Sequence, residues 1–417
     1  MEPIRVALLG AGSRGKHVYA DYAQAHPQEM KIVAVAEPND VKRQCIVDEH
    51  GIEKSYAVKD WRDLFVSKQN FDAVVIATQD SMHRDAILAA IGKQYHILCE
   101  KPIVTTLEDS RTIAEAAKDF SKVFVISHVL RYSPFFTRVK KLIAQGELGR
   151  LIGIELDECV GHIHMSHSFV RGHWNNSNTS APMILAKSCH DMDILLYLAG
   201  ADCTSLSSYG DLYHFKEENA PIGAPLRCTD NCSHYEACPY AAQKIYLGKN
   251  TAWPVNVITT DLSVEGRLKA LQQGPWGRCV YHCDNNVVDH QTVNAQFANG
   301  VIATFTMSGF TMTTHRGLRL MGTQAELIGD MEKGIITINY FSSRDKKTIE
   351  IETTREGHSG SDELFVADFV RLVRSNNTSG ETRVGSSLQS HYMAFAAEAS
   401  RLADGKRMQV ADFGKLQ

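Results

Sequence analysis

A glycine-rich segment near the start of the chain has the spacing of a dinucleotide-binding turn. Gly10, Gly12 and Gly15 follow a short apolar run, and Glu37 ends the next apolar run about 20 residues further on. In such a turn the first glycine permits a tight bend, the second lets the backbone approach a pyrophosphate, and the third lets the helix pack on the strand. The acid accepts hydrogen bonds from ribose hydroxyls. The pattern therefore predicts an NAD site, the alternative being an ordinary strand-to-helix turn.

Glu37 also predicts which dinucleotide binds. Its carboxylate would lie where the 2′-phosphate of NADP has to sit, and like charges repel in a partly desolvated pocket. We therefore expect NAD to bind more tightly than NADP, although Arg14 in the glycine turn would soften the difference.

The first third of the chain alternates between apolar strands and helical segments. Beyond the glycine turn, apolar runs lie at 71–78, 95–99 and 123–127, with helical stretches at 82–92 and 107–120 between them. This alternation is typical of a parallel sheet covered on both faces. Ligands of such sheets lie outside the carboxyl ends of the strands, so residues that follow the strands are candidates for the site.

The last third of the chain changes to a period of two. Alternating runs lie at 287–297, 301–307, 317–322, 325–329, 334–340 and 347–352, and amphipathic helices follow at 361–374 and 387–402. The period of two predicts an antiparallel sheet with one apolar and one polar face. We expect the polar face to line a cleft.

Four motifs, in this order, resemble the Gfo/Idh/MocA family of nicotinamide-dependent oxidoreductases. They are GAGSRG at 10–15, EKP at 100–102, RYSPFF followed by GELGRLIGIE, and CHDMDIL at 189–195. The resemblance covers nearly the whole chain. It implies an α/β protein with an N-terminal NAD-binding Rossmann domain, a doubly wound parallel sheet at 1–128. It also implies a C-terminal α+β domain at 129–417, built on an open, mostly antiparallel sheet that faces the nicotinamide, and a carbohydrate or cyclitol substrate.

Lys101 and His190 are the candidate catalytic residues. The resemblance implies that the lysine of the EKP motif and the histidine of the HxxD segment lie over the nicotinamide, where oxidation of an alcohol needs a proton acceptor and a donor to the developing alkoxide. Many relatives carry an aspartate four residues before this histidine, but here Ala186 occupies that position. Lys187 is either a second cation in the pocket or a lysine on the outer helix turn.

The strand ends and the resemblance together give the candidate contacts. Those for the cofactor are Gly10, Gly12, Ser13, Arg14, Gly15, Glu37, Thr78, His83, Glu100 and Lys101. Those for the substrate are Arg131, Tyr132, His167, Arg171, Trp174, Lys187 and His290. The segment 159–178 is dense in His, Arg and Trp, which suit the hydroxyls and the apolar face of a sugar. Its HxHxxH spacing would also suit a metal, but no acid accompanies it at ligand spacing.

Five of the ten cysteines fall in two short loops within an insertion at about 210–285. The first loop holds Cys228, Cys232 and Cys238, and the second holds Cys279 and Cys283. We predict a structural zinc or iron–sulfur centre bound by four of the five, with Cys228, Cys232, Cys238 and Cys279 as the first choice; chance clustering is the alternative. The spacings do not match the CxxC pairs of zinc ribbons.

The composition limits the other partners. With 44 Lys+Arg against 48 Asp+Glu, the formal net charge of −4 gives no basic surface for nucleic acid. No run of about 18 apolar residues predicts a membrane span, and no signal peptide is evident, so a cytoplasmic location is expected. The resemblance also suggests a homo-oligomer formed through the C-terminal sheet.

Three functions are consistent with these features. The first is NAD-dependent oxidation of a secondary hydroxyl of a sugar or sugar derivative. The second, which the resemblance implies because some members of the family work in this way, is a redox-neutral glycoside hydrolase that oxidises a ring hydroxyl, eliminates the aglycone, adds water and returns the hydride to the same NAD. The third is a dinucleotide-binding protein without catalysis, against which Lys101 and His190 argue.

Overall fold

A computed structural model describes residues 2–67, 70–352 and 360–415. Its strands form two sheets, and both confirm the predicted fold class. The strands of the first sheet are β1 (Ile4–Leu9), β2 (Met30–Ala36), β3 (Ala57–Val58), β4 (Ala73–Ile76), β5 (His96–Cys99) and β6 (Phe124–Ile126). All of its neighbours pair in parallel, in the order β3-β2-β1-β4-β5-β6. This order reverses direction at β1, so the glycine turn that follows β1 opens at the topological switch point where a dinucleotide binds.

The second sheet is larger. Its strands are β7 (Leu151–Cys159), β8 (Cys203–Asp211), β9 (His290–Phe297), β10 (Ile302–Ser308), β11 (His315–Gly322), β12 (Ala325–Asp330), β13 (Ile335–Tyr340), β14 (Lys346–Glu350) and β15 (Met408–Gln409). The order is β14-β13-β12-β11-β7-β10-β9-β8-β15, and every pair is antiparallel except β7 with β10.

Helices pack against both sheets, although one face of the second sheet is left open. Those in the first half are α1 (Asp21–Ala25), α2 (Asp40–His50), α3 (Trp61–Val66), α4 (His83–Gly92), α5 (Leu107–Ala116), α6 (Pro134–Ala144), α7 (His162–His164), α8 (Met183–Ala186) and α9 (Cys189–Ala199). Those in the second half are α10 (Ala242–Tyr246), α11 (Val255–Ile258), α12 (Val264–Gln273), α13 (Ser361–Ser375), α14 (Val384–Leu402) and α15 (Ala411–Gly414). Two π-helical turns, Gly15–Ala20 and Met165–Arg171, lead out of the glycine turn and α7 respectively.

Local sequence explains where the helices around the first sheet begin and end. The side chain of Asn39 accepts hydrogen bonds from the backbone N–H groups of Val41 and Lys42 and so begins α2, which ends at Gly51 in the left-handed conformation. Ser133 caps α6 in the same way, and Pro134 occupies its first turn, where the missing N–H costs nothing.

The end of the chain returns to the first sheet. Phe365 and Phe369 of α13 are buried in the same apolar cluster as Val6 and Leu8 of β1. The predicted assignment of 129–417 to one domain does not anticipate this packing, because an amphipathic helix does not indicate which sheet it covers.

The second sheet differs from the expectation that its polar face lines the cleft. Apolar residues such as Ile154 and Leu156 point to one face and share a core with Leu195 of α9 and Met393 of α14. The opposite, mostly polar face is open, with Thr304 and Gln296 exposed. The covered side also receives a charged residue, because Glu158 near the end of β7 is buried there. No helix in the described ranges is long and apolar enough to cross a membrane.

Candidate active site

The glycine turn has the geometry of a pyrophosphate cradle. Gly10 has a φ of +93°, and a Cβ there would lie 2.4 Å from the carbonyl oxygen of Ala77. A Cβ on Gly15 would lie 2.0 Å from the carbonyl oxygen of Gly10. A Cβ on Gly12, by contrast, would meet nothing within 4 Å. Gly10 and Gly15 are thus required by contacts within the protein, whereas Gly12 borders open space in which a pyrophosphate can approach the protein backbone.

Glu37 is held at the end of β2 in position for a ribose. Its two carboxylate oxygens accept hydrogen bonds from the backbone N–H groups of Ala11, at 2.8 Å, and Asn39, at 2.9 Å. Each oxygen keeps a further lone pair for a ligand hydroxyl. The buried carboxylate is therefore fixed before any cofactor arrives.

Arg14 and Glu100 are engaged with each other. Arg14 Nε donates to Glu100 Oε1 at 2.6 Å, and its Nη atoms donate to both oxygens of Asp362 on α13. Tyr19 and Ser127 also donate to Glu100. Burial alone would raise the pKa of Glu100, but the Arg14 charge and these hydrogen bonds lower it. This network fixes the glycine turn to β5 and α13, so both predicted cofactor contacts act in the geometry as supports. Ser13 is exposed at the tip of the turn.

His83 supports the turn that carries Lys101. Its Nδ1 lies 2.9 Å from the carbonyl oxygen of Pro102, and its Nε2 lies 3.2 Å from that of Thr78. The ring therefore joins the loops after β4 and β5, and it is fully buried. Within the described ranges, the buried Oγ1 of Thr78 has no hydrogen-bond partner.

Lys101 reaches across to the second domain. The Lys101–Pro102 peptide is cis, and Lys101 Nζ donates to the backbone carbonyl of Ala186 at 2.8 Å. Ala186 therefore contacts the lysine through its backbone. His190 lies in the first turn of α9, four residues further along the chain, and is buried. The lysine of the first domain thus contacts the segment of the second domain that leads into His190.

Two further histidines lie behind His190. The His128 ring stands edge-on to that of His190, with the ring centres 5.8 Å apart, and at 5.7 Å from that of His391. Burial lowers the pKa of His128 to about 4 and that of His391 to about 3. Both rings are therefore neutral at pH 7.

A buried chain of charges lies under the substrate side of the cleft. Lys187 Nζ is 3.0 Å from Glu158 Oε1, Glu158 also pairs with Arg316, and Arg316 Nε donates to Asp191 Oδ1 at 2.8 Å. Glu158 and Asp191 are fully buried. Burial raises the pKa of Asp191 to about 6, although Arg316 opposes the shift. Lys187 is therefore largely buried, with its charge balanced by Glu158.

Glu158, Arg316 and Asp191 were missed by the sequence analysis. A signal for Glu158 was present, because Ile154, Leu156 and Glu158 share one phase of β7, so the alternation points the acid inward. Arg316 lies opposite Glu158 in the register of β11 with β7, and no local pattern indicates that pairing.

Several predicted substrate contacts have other roles in the geometry. Arg131 is buried and binds Asp193 through two hydrogen bonds of 2.7 Å. Tyr132 donates to Asp368 on α13 at 2.8 Å. His290 lies on the open face of the second sheet beside Asp289. Arg131 and Tyr132 therefore make hydrogen bonds within the protein. His290 lies on the open face of the second sheet, away from the covered face.

The histidine-rich segment divides between the cleft and the insertion. His167 accepts or donates a hydrogen bond with the Tyr246 hydroxyl at 2.8 Å and stacks on Trp276, and burial lowers its pKa to about 4. Trp174 Nε1 donates to Asp80, just after β4, at 2.9 Å and so connects the two domains at the cleft. His167 is thus packed inside the insertion, whereas Trp174 remains at the cleft.

His164 and Trp253 were not among the predicted contacts. Their rings meet edge-on with the centres 4.9 Å apart. Burial lowers the pKa of His164, and the charges of Lys187 and Lys101 lower it further. Trp253 is 45% exposed. The insertion therefore brings a partly exposed aromatic side chain next to His164.

The predicted cysteine centre has a mixed outcome. All ten cysteines are free, and Cys228, Cys232, Cys238 and Cys279 line one cavity with Arg171. Within the described ranges, no group of three His, Cys, Asp or Glu residues is arranged to hold a metal ion. This finding also gives no support to a metal at the HxHxxH segment.

The fold and the site define a two-domain oxidoreductase with an NAD-binding Rossmann domain. Residues 4–128 match "Oxidoreductase family, NAD-binding Rossmann fold", and residues 140–386 match "Oxidoreductase family, C-terminal alpha/beta domain". The chain belongs to the Gfo/Idh/MocA family.

Characterised proteins with similar sequences or folds act on cyclitols and sugars. The scyllo-inositol 2-dehydrogenase (NAD(+)) of Bacillus subtilis (strain 168) is 29% identical over 54% of this chain and 62% of its own. The 1,5-anhydro-D-fructose reductase of Ensifer adhaerens is 29% identical over 48% of this chain and 57% of its own. The chain thus spans under two thirds of either relative. The structure of levoglucosan dehydrogenase with NADH and levoglucosan superposes with a TM-score of 0.73 at 18% identity, covering 98% of this chain and 100% of that one.

Proposed function

We propose that this protein is an NAD-dependent oxidoreductase that transfers hydride from a secondary hydroxyl of a sugar or sugar derivative. The observation that carries the proposal is the contact of Lys101 Nζ with the Ala186 carbonyl, which holds the lysine of the Rossmann domain against the segment that leads into His190. This contact supports a donor and a proton acceptor that act together beside the glycine turn.

The residues fit an NAD molecule. Gly12 leaves space for the pyrophosphate, Glu37 offers acceptors to the ribose, and the Thr78 hydroxyl faces the same edge of the sheet. When bound, NAD supplies a nicotinamide ring that accepts a hydride. The protein's own work is then to hold the substrate hydroxyl and to move its proton.

Lys101 and His190 divide that work. Lys101 Nζ has three N–H donors, of which Ala186 takes one. A second donor can bind the substrate oxygen and stabilise the charge that develops as the proton leaves. The imidazole of His190 accepts that proton. The Lys187–Glu158 pair lies next to this point and adds no net charge.

Glu37 supports a preference for NAD over NADP. The carboxylate is fixed by two backbone N–H groups, so it cannot turn away from a 2′-phosphate. Arg14 cannot offset this repulsion, because Glu100 and Asp362 hold its guanidinium. The nearer cation, Arg43, is paired with Asp40. Replacing Glu37 with serine should therefore narrow the difference between the two affinities, as measured by titration with each dinucleotide.

The wall of the cleft suits a carbohydrate. His164 provides a neutral imidazole for hydroxyl groups, and the exposed part of the Trp253 ring provides an apolar face on which a pyranose can stack. Trp174 adds a second aromatic side chain at the domain junction. Relatives that act on inositol and levoglucosan support this substrate class.

A combined assay tests the proposal. The enzyme is incubated with NAD and a panel of free sugars, cyclitols and aryl glycosides while NADH and released aglycone are both measured. We expect NADH in proportion to a free sugar or cyclitol consumed. Aglycone release without accumulated NADH, with deuterium from heavy water entering C2, would instead support the redox-neutral hydrolase. NAD binding with neither reaction would support a binding protein.

Two further predictions remain with this proposal. One is a homo-oligomer through the open face of the second sheet, where the apolar side chains of Ile302 and Ile328 are 60% and 46% exposed. Light scattering with the variant Ile302→Glu tests it, because a charge in the interface should shift the mass toward the monomer. The other is a cytoplasmic location, which fractionation of the source cells tests.

A further inference from the structure

The segment between β8 and β9 has little structure of its own to hold it together. Its apolar cluster consists of six buried side chains: Ala242, Tyr246, Val255, Ile258, Leu271 and Trp276. In its described residues it contributes to neither sheet, and its one β-bridge joins Arg227 to Arg278. The segment is also anchored to the main core through Phe215, Tyr240 and Val280, and a cross-link would stabilise the remainder, whose own core is small.

Four cysteines surround a small cavity at that bridge. Cys228, Cys232 and Cys238 come from one loop and Cys279 from the other, and the cavity between them measures about 20 Å³. Backbone hydrogen bonds from Cys228 N to Gly277 O, at 2.8 Å, and from Cys279 N to Leu226 O, at 2.9 Å, hold the two loops together. The thiols are free, so no disulfide already provides the cross-link.

Arg171 lines the same cavity and lacks a carboxylate partner among the described residues. It is 1% exposed. Its Nε donates to Arg278 O and its Nη2 to Tyr240 O, each at 2.7 Å, while Nη2 also lies 3.5 Å from Cys228 Sγ. Within the described ranges, Nη1 has no hydrogen-bond partner. Arg171 also forms a side-chain hydrogen bond with Tyr246, but none of these partners is a carboxylate, and a buried guanidinium needs a negative group nearby.

The arrangement of the thiols distinguishes between the two centres. A zinc ion requires its four sulfurs at about 2.3 Å from a single point, and no three candidate ligands in the described part of the chain meet such a requirement. An iron–sulfur cluster places several iron and sulfide atoms between four thiolates, so the thiols stand around a cavity instead of converging. The cluster with its thiolates is also anionic.

We propose that Cys228, Cys232, Cys238 and Cys279 bind an iron–sulfur cluster, with Arg171 as its buried counter-charge. Each thiol releases its proton to water, and the thiolate bonds to iron. Arg171 Nη1 then has an acceptor in a sulfide or thiolate sulfur. No electron transfer is required of the cluster, whose role is to join the two loops.

The cluster would also support the cleft. Arg171 ends the turn Met165–Arg171, in which His167 packs on Trp276 and lies 5.5 Å from Trp253 between ring centres. Loss of the cluster should therefore weaken the packing of His167, Trp253 and Trp276 without changing the residues that bind NAD. This consequence, unlike the binding of the cluster, rests on the proposed function.

Metal analysis of the full-length protein, purified without oxygen or chelator, tests the proposal. We expect equal amounts of iron and acid-labile sulfide, about two or about four of each per chain, with visible charge-transfer absorbance. The variants Cys232→Ser and Cys238→Ser should lose both. Cys283→Ser is the matched control, because Cys283 Sγ donates to Cys279 O at 3.2 Å and does not line the cavity. It should retain the cluster.

Other outcomes overturn the proposal. These are about one zinc per chain without sulfide, the four cysteines recovered as disulfides, or wild-type protein without iron. Equal iron in wild type and both cavity variants would also overturn it. If the serine variants do not fold, the iron and sulfide content of wild type and of Cys283→Ser still decides. NAD affinity should be the same in wild type and in any folded variant.

Discussion

The nucleotide side and the substrate side of the cleft are specified by contacts of different range. On the nucleotide side, the backbone N–H of Ala11 donates to Glu37, and both residues belong to one strand–helix–strand unit. On the substrate side, the pair between Glu158 and Arg316 depends on the register of two strands distant in sequence. A motif can therefore identify the first side, whereas the second becomes visible only when the sheet is assembled.

The largest effect is expected where the two sides meet. Lys101→Ala and His190→Ala should each lower turnover by about two to four orders of magnitude, because each removes a group that binds the reacting oxygen or accepts its proton. The affinity for NAD should stay nearly unchanged, since the glycine turn and Glu37 are untouched. Steady-state kinetics with calorimetric NAD titration measures both quantities.

Lys187 provides a comparison for that experiment. It lies close to the same point but is paired with Glu158, so Lys187→Ala should affect KM more than Lys101→Ala does. Near-normal turnover in Lys101→Ala or His190→Ala would remove that residue from the mechanism.

The buried charges of the substrate side should be the next most sensitive. Glu158→Leu leaves Arg316 and Lys187 without a shared partner in a dry environment, and breaking such a pair costs about 3 to 5 kcal/mol in the free energy of unfolding. Glu155→Leu on the same strand is the control, because its side chain is 50% exposed and should cost about 1 kcal/mol or less. Urea denaturation measures both, and equal losses would show that the network adds nothing.

The sequence predicted the fold class of both sheets, because apolar periodicity and glycine spacing are local signals, but not that Arg14 and Glu100 would bind each other. Lys101 and His190, which come from ordered motifs, stay predictions. It did not predict that Arg131 would be occupied by Asp193 or that His290 would lie on the open face of the sheet. Both outcomes depend on which partner a folded sheet or helix brings near, and residue type alone does not carry that information. His164 and Trp253 were missed for the same reason, since they meet only when the insertion folds back on the cleft.

A single methyl group can test the nucleotide side alone. Gly12→Ala should fold normally, because its Cβ would meet no protein atom within 4 Å, yet the methyl group would occupy space reserved for the pyrophosphate. We expect NAD affinity to fall at least about tenfold, which is about 1.4 kcal/mol. Gly92→Ala on α4 introduces the same methyl group into equally open space away from the turn. If both variants bind NAD like wild type, Gly12 does not face the cofactor.

The last effect is confined to acidic pH and concerns the support of the Lys101 turn from α14. His391 Nε2 accepts a hydrogen bond from the backbone N–H of Ile103 at 2.8 Å, and its Nδ1 lies 2.9 Å from Ser387 O, so the ring acts in its neutral form. Burial lowers its pKa to about 3. In the unfolded chain the same histidine titrates near pH 6.5. As the pH falls below about 6.5, the unfolded state binds a proton at this histidine, whereas the folded state does not. The free energy of unfolding therefore decreases by about 1.4 kcal/mol per pH unit for each such histidine.

The variant His391→Gln isolates this contribution. It should be less stable than wild type at pH 7, because it loses the imidazole contacts, but its stability should fall less steeply between pH 6.5 and about 4, by the share of one proton. His128, whose pKa is lowered to about 4, continues to contribute in both proteins. His17→Gln is the control, because the His17 side chain is 59% exposed, and its stability should follow the wild-type dependence on pH. Urea denaturation at several pH values gives the slopes. Parallel curves for wild type and His391→Gln would mean that His391 takes up a proton in the folded protein, and the turn that carries Lys101 would then be held by a charged ring rather than a neutral one.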